Sequence, residues 1–182
     1  MARLEAGEIV VEDIRLDEKG GTVRVMALVK STAQSAWQVV SSCPQARRYV
    51  HGMKHCEVLV DEPNWALTHH VVDPGWLTPE MDFQFETRRQ PYRRMDFELT
   101  EGNLRQMSGF WLFETVDAGV LIIHELTIQP RVPAPRWLIR RKLAKDLPAM
   151  MACIRALSNG SLSEEMREPD LAACSKAGVQ EN

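Results

Sequence analysis

From residue 54 to residue 129 apolar and polar side chains alternate with period two, in short runs broken by turn residues. Residues 54–61 and 65–72 are separated by Glu62-Pro63-Asn64. Met81, Phe83 and Phe85 alternate with Asp82, Gln84 and Glu86, the cleanest strand pattern in the chain. Beyond Gln90-Pro91, Met95, Phe97 and Leu99 alternate with Arg94, Asp96 and Glu98 up to the turn Glu101-Gly102-Asn103. Two further strands, about 105–115 and 119–129, meet at Asp117-Ala118-Gly119. Strands joined by such short turns are antiparallel neighbours.

Upstream, residues 8–16 and 22–30 are β-rich and flank Asp17-Glu18-Lys19-Gly20-Gly21, which reads as a hairpin turn. Val23, Val25, Ala27 and Val29 alternate with Thr22, Arg24, Met26 and Lys30, so one face is buried. Ser31 precedes Gln34 at capping-box spacing, and Ala33, Ala36, Trp37 and Val40 recur at helical intervals towards Ser42. Pro44 then either closes that helix or opens a short second one through Tyr49, with Gly52 as the break. Residues 133–159 predict a final helix whose apolar face holds Trp137, Leu138, Leu143, Leu147, Met150, Met151, Ile154 and Leu157, with Pro148 expected to kink or interrupt it.

These elements predict an α+β chain. An antiparallel sheet of about seven strands curves around one long C-terminal helix, with residues 8–16 added as a strand at the sheet edge. The expected organisation is an N-terminal strand extension over 1–21, a ligand-binding domain over 22–159 and a disordered polar tail over 160–182.

At 182 residues and 45% hydrophobic content the chain can bury a sizeable core. A net charge of −3 supplies no broad attractive field, so DNA is not an expected partner. The N-terminal apolar run is short and interrupted by acidic residues, unlike a leader or a membrane span. Cys43, Cys56, Cys153 and Cys174 follow no CxxC spacing and are expected to be reduced thiols of a cytoplasmic protein.

The order of strand, helix pair, meander and long helix resembles the helix-grip fold of the START and birch-pollen-allergen (SRPBCC) superfamily. Ser31-Thr-Ala-Gln-Ser-Ala-Trp-Gln-Val-Val40 is similar to that superfamily's entry into its first helix. Gly109-Phe110-Trp111, the turn at Gly119, and Pro130 before Arg136-Trp137-Leu138 resemble its polyketide cyclase/dehydrase and coenzyme-Q-binding branch. The resemblance spans about residues 22–158 and implies an internal chamber for a hydrophobic molecule.

By alternation, Met81, Phe83, Phe85, Met95, Phe97, Leu99, Trp111 and Phe113 face that chamber, and the final helix offers Trp137, Met150 and Met151. Such a lining suits an apolar or aromatic ligand, and it would equally fill an ordinary core. His124, between Ile122 and Leu126, points the same way and is the one catalytic candidate, as a general acid/base or a single orienting hydrogen bond. Glu125 faces outward. His51, His55, Cys56, His69 and His70 invite a metal reading, but their spacing does not assemble them, and neither metal nor cofactor is expected. No GxSxG, HExxH, P-loop or dinucleotide fingerprint occurs.

The arginines at 88, 89, 93 and 94, and the basic group Arg136, Arg140, Arg141 and Lys142, read as solvated faces or as contacts to a membrane or ribosome surface. Phe110 and Leu112, opposite in face to Trp111, suit a homodimer interface or a membrane contact. The expectation is therefore a carrier or chaperone of a lipid, isoprenoid quinone or polyaromatic compound. The alternatives are an aromatase/cyclase acting on a poly-β-keto chain, and a ribosome- or membrane-surface interaction protein.

Overall fold

In the computed structural model, residues 2–16, 20–73, 75, 79–132, 135–159 and 174 are described. The alternation becomes eight strands: β1 (Val10–Leu16), β2 (Gly21–Val29), β3 (Met53–Glu62), β4 (Trp65–Val72), β5 (Met81–Gln90), β6 (Arg94–Gly102), β7 (Leu104–Val116) and β8 (Gly119–Pro130). They form one antiparallel sheet in the order β1-β2-β8-β7-β6-β5-β4-β3. The stretch from β3 to β8 is an uninterrupted meander, and β1 is the edge strand beside β2, as its pattern predicts. Register shifts within the β3–β4, β5–β6 and β7–β8 pairs insert extra residues on one strand, which bends it and lets the sheet curl.

Four helices accompany the sheet: α1 (Ala2–Glu5), α2 (Ala33–Val40), α3 (Cys43–Tyr49) and α4 (Arg136–Ser158). The cap of α2 is Thr32 rather than Ser31: its hydroxyl accepts from the Ser35 amide at 3.1 Å. Ser31 instead donates to the Ser158 carbonyl at 2.7 Å, and Ser35 donates to the same oxygen at 2.8 Å. The C-terminal end of α4 is thereby tied to the β2–α2 corner. Pro44 opens α3, and the helices are separate.

The final helix begins at Arg136, with Pro135 at its cap; residues 133 and 134 lie outside the described residues, as does the 160–182 tail apart from Cys174. It runs without interruption through Pro148, against the expectation of a break there.

Packing is uneven along α4, and that unevenness makes the site. Its C-terminal half buries Met151, Cys153 and Ile154 in one core with Val23, Val25 and Val29 of β2 and Val120 and Ile122 of β8, all essentially inaccessible. Towards β4–β7 the sheet curls away from the helix. On the convex face Leu4 of α1 joins Leu28 and Leu121 in a second small core, a helix the sequence pattern did not announce. Phe110 lies on that face under the Arg94 guanidinium, 4.4 Å from its carbon, with Arg94 also forked onto Asp96. Leu112 is half-buried beside it.

All four cysteines are disulfide-bonded, correcting the expectation of reduced thiols. Cys43 pairs with Cys56 and Cys153 with Cys174, at Cα separations of 5.4 and 4.8 Å. The first pair forms because α3 lies along β3, a contact that sequence spacing does not reveal. The cysteine argument for a cytoplasmic location therefore no longer applies. Among the described residues no helix is long and apolar enough to cross a membrane.

Candidate functional site

Between the curled strands and the N-terminal half of α4 lies a cavity of about 650 Å³. Its wall is built from inward side chains of β3–β8, from α2–α3, and from Leu138, Ile139, Leu143, Leu147 and Met150 of α4. Exposed His51, Glu80, Arg131 and Val132 lie at one rim. The volume suits a drug-sized or lipid-sized molecule.

One cross-strand row organises the wall. Arg89 of β5 pairs in register with Met95 of β6, Met95 with Trp111 of β7, and Trp111 with His124 of β8. Period-two alternation puts all four side chains on the concave face. The Trp111 and His124 rings stack, centroids 3.7 Å apart and planes 15° from parallel. Phe97 flanks the imidazole with centroids 5.8 Å apart. Phe97 lies where it does because residue 109 is glycine: a Cβ there would meet the Phe97 ring at 2.7 Å and run into the Glu125 carbonyl oxygen.

His124 is 4% exposed, and burial pushes its pKa down to about 4, against a smaller opposing effect of its bond to Phe110. It is therefore neutral at physiological pH. Its Nδ1 lies 3.0 Å from the Phe110 carbonyl oxygen; a carbonyl only accepts, so Nδ1 carries the proton. Nε2 is left as a lone-pair acceptor at the cavity wall. No carboxylate among the described residues bonds to this ring, whereas Glu125 points outward and binds Arg24 at 2.7 Å.

Polar groups on the opposite wall complete the site. Thr68, Thr87 and Arg89 line it, with Thr68 and Thr87 buried. Arg89 pairs with Asp61, yet its Nε is buried without a hydrogen-bond partner. His70 also faces the cavity, its pKa lowered to about 4 by burial and, less, by His69 and His55.

The structure brings Met81, Phe83, Phe85, Met95, Phe97, Trp111, His124 and Met150 together around the cavity. It places the other expected lining residues elsewhere. Trp137 is 62% exposed, because the first turn of α4 directs Leu138 inward instead. Met151 is sealed in the core, Phe113 packs on Trp37 of α2 with centroids 5.6 Å apart, and Leu99, the register partner of Phe85, packs half-buried against the core outside the cavity lining. Thr87 and Arg89 were missed as site residues although they continue the Met81-Phe83-Phe85 alternation; their polarity hid them. Arg88 pairs with Glu86 on the outer side, and Arg136 donates to the Leu16 carbonyl.

Three comparisons bear on this geometry. A family model for polyketide cyclase / dehydrase and lipid transport matches residues 29–155. The fold is similar to that of a Thermus thermophilus protein, with TM-score 0.68, 15% identity, and coverage of 78% of this chain and 99% of that one. It is also similar to the ZhuI aromatase/cyclase of Streptomyces sp. R1128, with TM-score 0.65, 14% identity, and coverage of 84% and 98%. A STAR-related lipid transfer protein from Xanthomonas axonopodis gives TM-score 0.68 at 13% identity over 82% and 92%. No curated protein sequence matches the chain.

Proposed function

The chain belongs to the polyketide cyclase / dehydrase and lipid transport family, and from that premise we propose that it binds and carries a hydrophobic, partly aromatic small molecule bearing a hydroxyl. The observation that supports this most is the neutral His124 stacked on Trp111 at the wall of a 650 Å³ cavity. Apolar lining removes the ligand's surface from water and supplies affinity. Trp111 offers a flat face to a ring system. His124 Nε2 can only accept, so the matched ligand donates to it: a phenol, a hydroquinone or an enol.

At the far end of the same row Arg89 Nε is a buried donor in need of an acceptor. Three strand spacings separate the two positions, roughly 14 Å. That length favours an elongated ligand with a carbonyl or carboxylate near Arg89 and a hydroxyl near His124.

The same pair favours a second reading, an aromatase/cyclase. A poly-β-keto chain presents carbonyls and enols along its length, and holding it bent would supply proximity for aldol closure. His124 would then move a proton at Nε2. We rank carriage first because, among the described residues, the imidazole's only hydrogen bond is to the Phe110 carbonyl and no carboxylate bonds to it.

The test compares a polycyclic phenol with its O-methyl ether by tryptophan-fluorescence titration. The expected result is phenol binding about fivefold tighter, the equivalent of one net hydrogen bond, with the preference abolished in His124→Phe. Equal affinities would remove His124 from ligand recognition, and binding of neither would remove the carrier reading. Release of a cyclised product from a poly-β-keto substrate, dependent on His124, would reverse the ranking.

A further inference from the structure

A second cluster on the cavity wall plays no part in that reading. Cys43 starts α3, Cys56 lies in β3 and His70 in β4, and all three line the cavity. Cys56 and His70 are register partners, which puts both on the concave face. Their donor atoms and Cys43 Sγ all lie within 4.8 Å of one another, with Cys56 Sγ 3.2 Å from His70 Nε2.

The imidazole has little else to hold it. Among the described residues its only hydrogen-bond partner is that sulfur, a weak acceptor when disulfide-bonded, and Phe83 and Phe85 meet it edge-on at 5.7 and 4.8 Å. A half-buried nitrogen facing two sulfurs is a poor hydrogen-bond arrangement and a good set of metal donors.

We propose that reduction of the Cys43–Cys56 disulfide creates a Cys2His site for a thiophilic divalent cation of the zinc class, with its fourth position open to the cavity. A thiol reductant supplies the electrons: two RSH molecules give RSSR while the disulfide takes up two electrons and two protons, becoming two Cys–SH groups. The cation then displaces both thiol protons to solvent and forms two metal–sulfur bonds and one bond to His70 Nε2. Two thiolates cancel its double charge, which suits an apolar wall.

The geometry is close to what such a centre needs. Tetrahedral zinc, with Zn–S about 2.3 Å and Zn–N about 2.05 Å, sets sulfur–sulfur at about 3.8 Å and sulfur–nitrogen at about 3.5 Å. The Cys56–His70 distance is already within a few tenths of an ångström of that. The sulfurs must separate by side-chain rotation alone, across the 5.4 Å Cα spacing. Three protein donors and an open position facing a ligand chamber are the arrangement in which a metal polarises a ligand oxygen. His55, Glu57 and His69 form another donor group on the outer face, but it contains no sulfur, and its members already pair with one another or with Asp82.

The experiment is anaerobic titration of phosphine-reduced, full-length protein with Co2+, followed by Zn2+. The expected result is one equivalent of Co2+ bound with a near-ultraviolet thiolate-to-cobalt charge-transfer band and tetrahedral visible bands, both abolished by Zn2+. The charge-transfer band should vanish in Cys43→Ser, persist in Cys153→Ser/Cys174→Ser, and be missing from oxidised protein, and His70→Ala should bind Co2+ at least tenfold more weakly. A band that survives Cys43→Ser, or one lost with the Cys153/Cys174 pair, would overturn the proposal. So would a reduced protein that keeps its circular dichroism and binds no Co2+. A reduced protein that unfolds would overturn it equally, since the donors then share no wall.

Discussion

Lowering the pH should destabilise this protein through His124 by an amount the structure specifies. The ring is buried, its Nδ1 proton is held by the Phe110 carbonyl, and its pKa is pushed from 6.5 to about 4. The native state thus binds fewer protons than the unfolded chain between those two values. Stability is fully present above pH 6.5 and falls as pH drops towards 4. From these pKa values the loss is about 2 kcal/mol at pH 5 and about 3 kcal/mol at pH 4. His124→Asn removes the titration while its amide nitrogen can still donate to Phe110. His70 titrates in both proteins and cancels in the difference. Urea unfolding at pH 7, 6, 5 and 4 should therefore give a wild-type curve that drops below the variant's by these increments. Parallel curves would refute a buried neutral imidazole, and with it the acceptor role of Nε2.

Three further outcomes follow from the packing. Trp111→Ala removes the ring stacked on His124 and should weaken binding of an aromatic ligand by about tenfold, near 1.4 kcal/mol; unchanged affinity in the fluorescence titration would take Trp111 out of the site. Gly109→Ala drives a methyl into the Phe97 ring and the Glu125 carbonyl and should cost about 1–3 kcal/mol by thermal unfolding; wild-type stability would show that the ring is free to move. Thr32→Ala should cost about 1 kcal/mol through loss of the α2 cap, whereas Ser31→Ala should instead weaken the tie to Ser158.

The fold was legible because the meander is a run of strands whose neighbours in sequence are neighbours in space. Each turn lies between two clean alternations, so order, direction and inward face follow from local pattern, as Val23, Val25, Ala27 and Val29 illustrate. The site was legible only where a strand supplied it. Phe83, Phe97, Trp111 and His124 needed nothing beyond period two. Positions on α4 depended on the helix's rotation against the sheet, which put Trp137 outside and Met151 into the core rather than the chamber. Contacts between distant elements left no trace in spacing. The lie of α3 along β3 decides that Cys43 meets Cys56, and the β4 register decides that His70 joins them. Arg89 was hidden differently: a charge at an inward position reads as surface until the cavity beside it is seen.

The most direct test of the central claim is a crystal structure of the protein with a polycyclic phenol. The ring system should lie against Trp111 inside the cavity, with its hydroxyl oxygen within about 3.2 Å of His124 Nε2. A structure in which Phe83, Phe97, Trp111 and Met150 interdigitate at core density, leaving no space between sheet and helix, would contradict it.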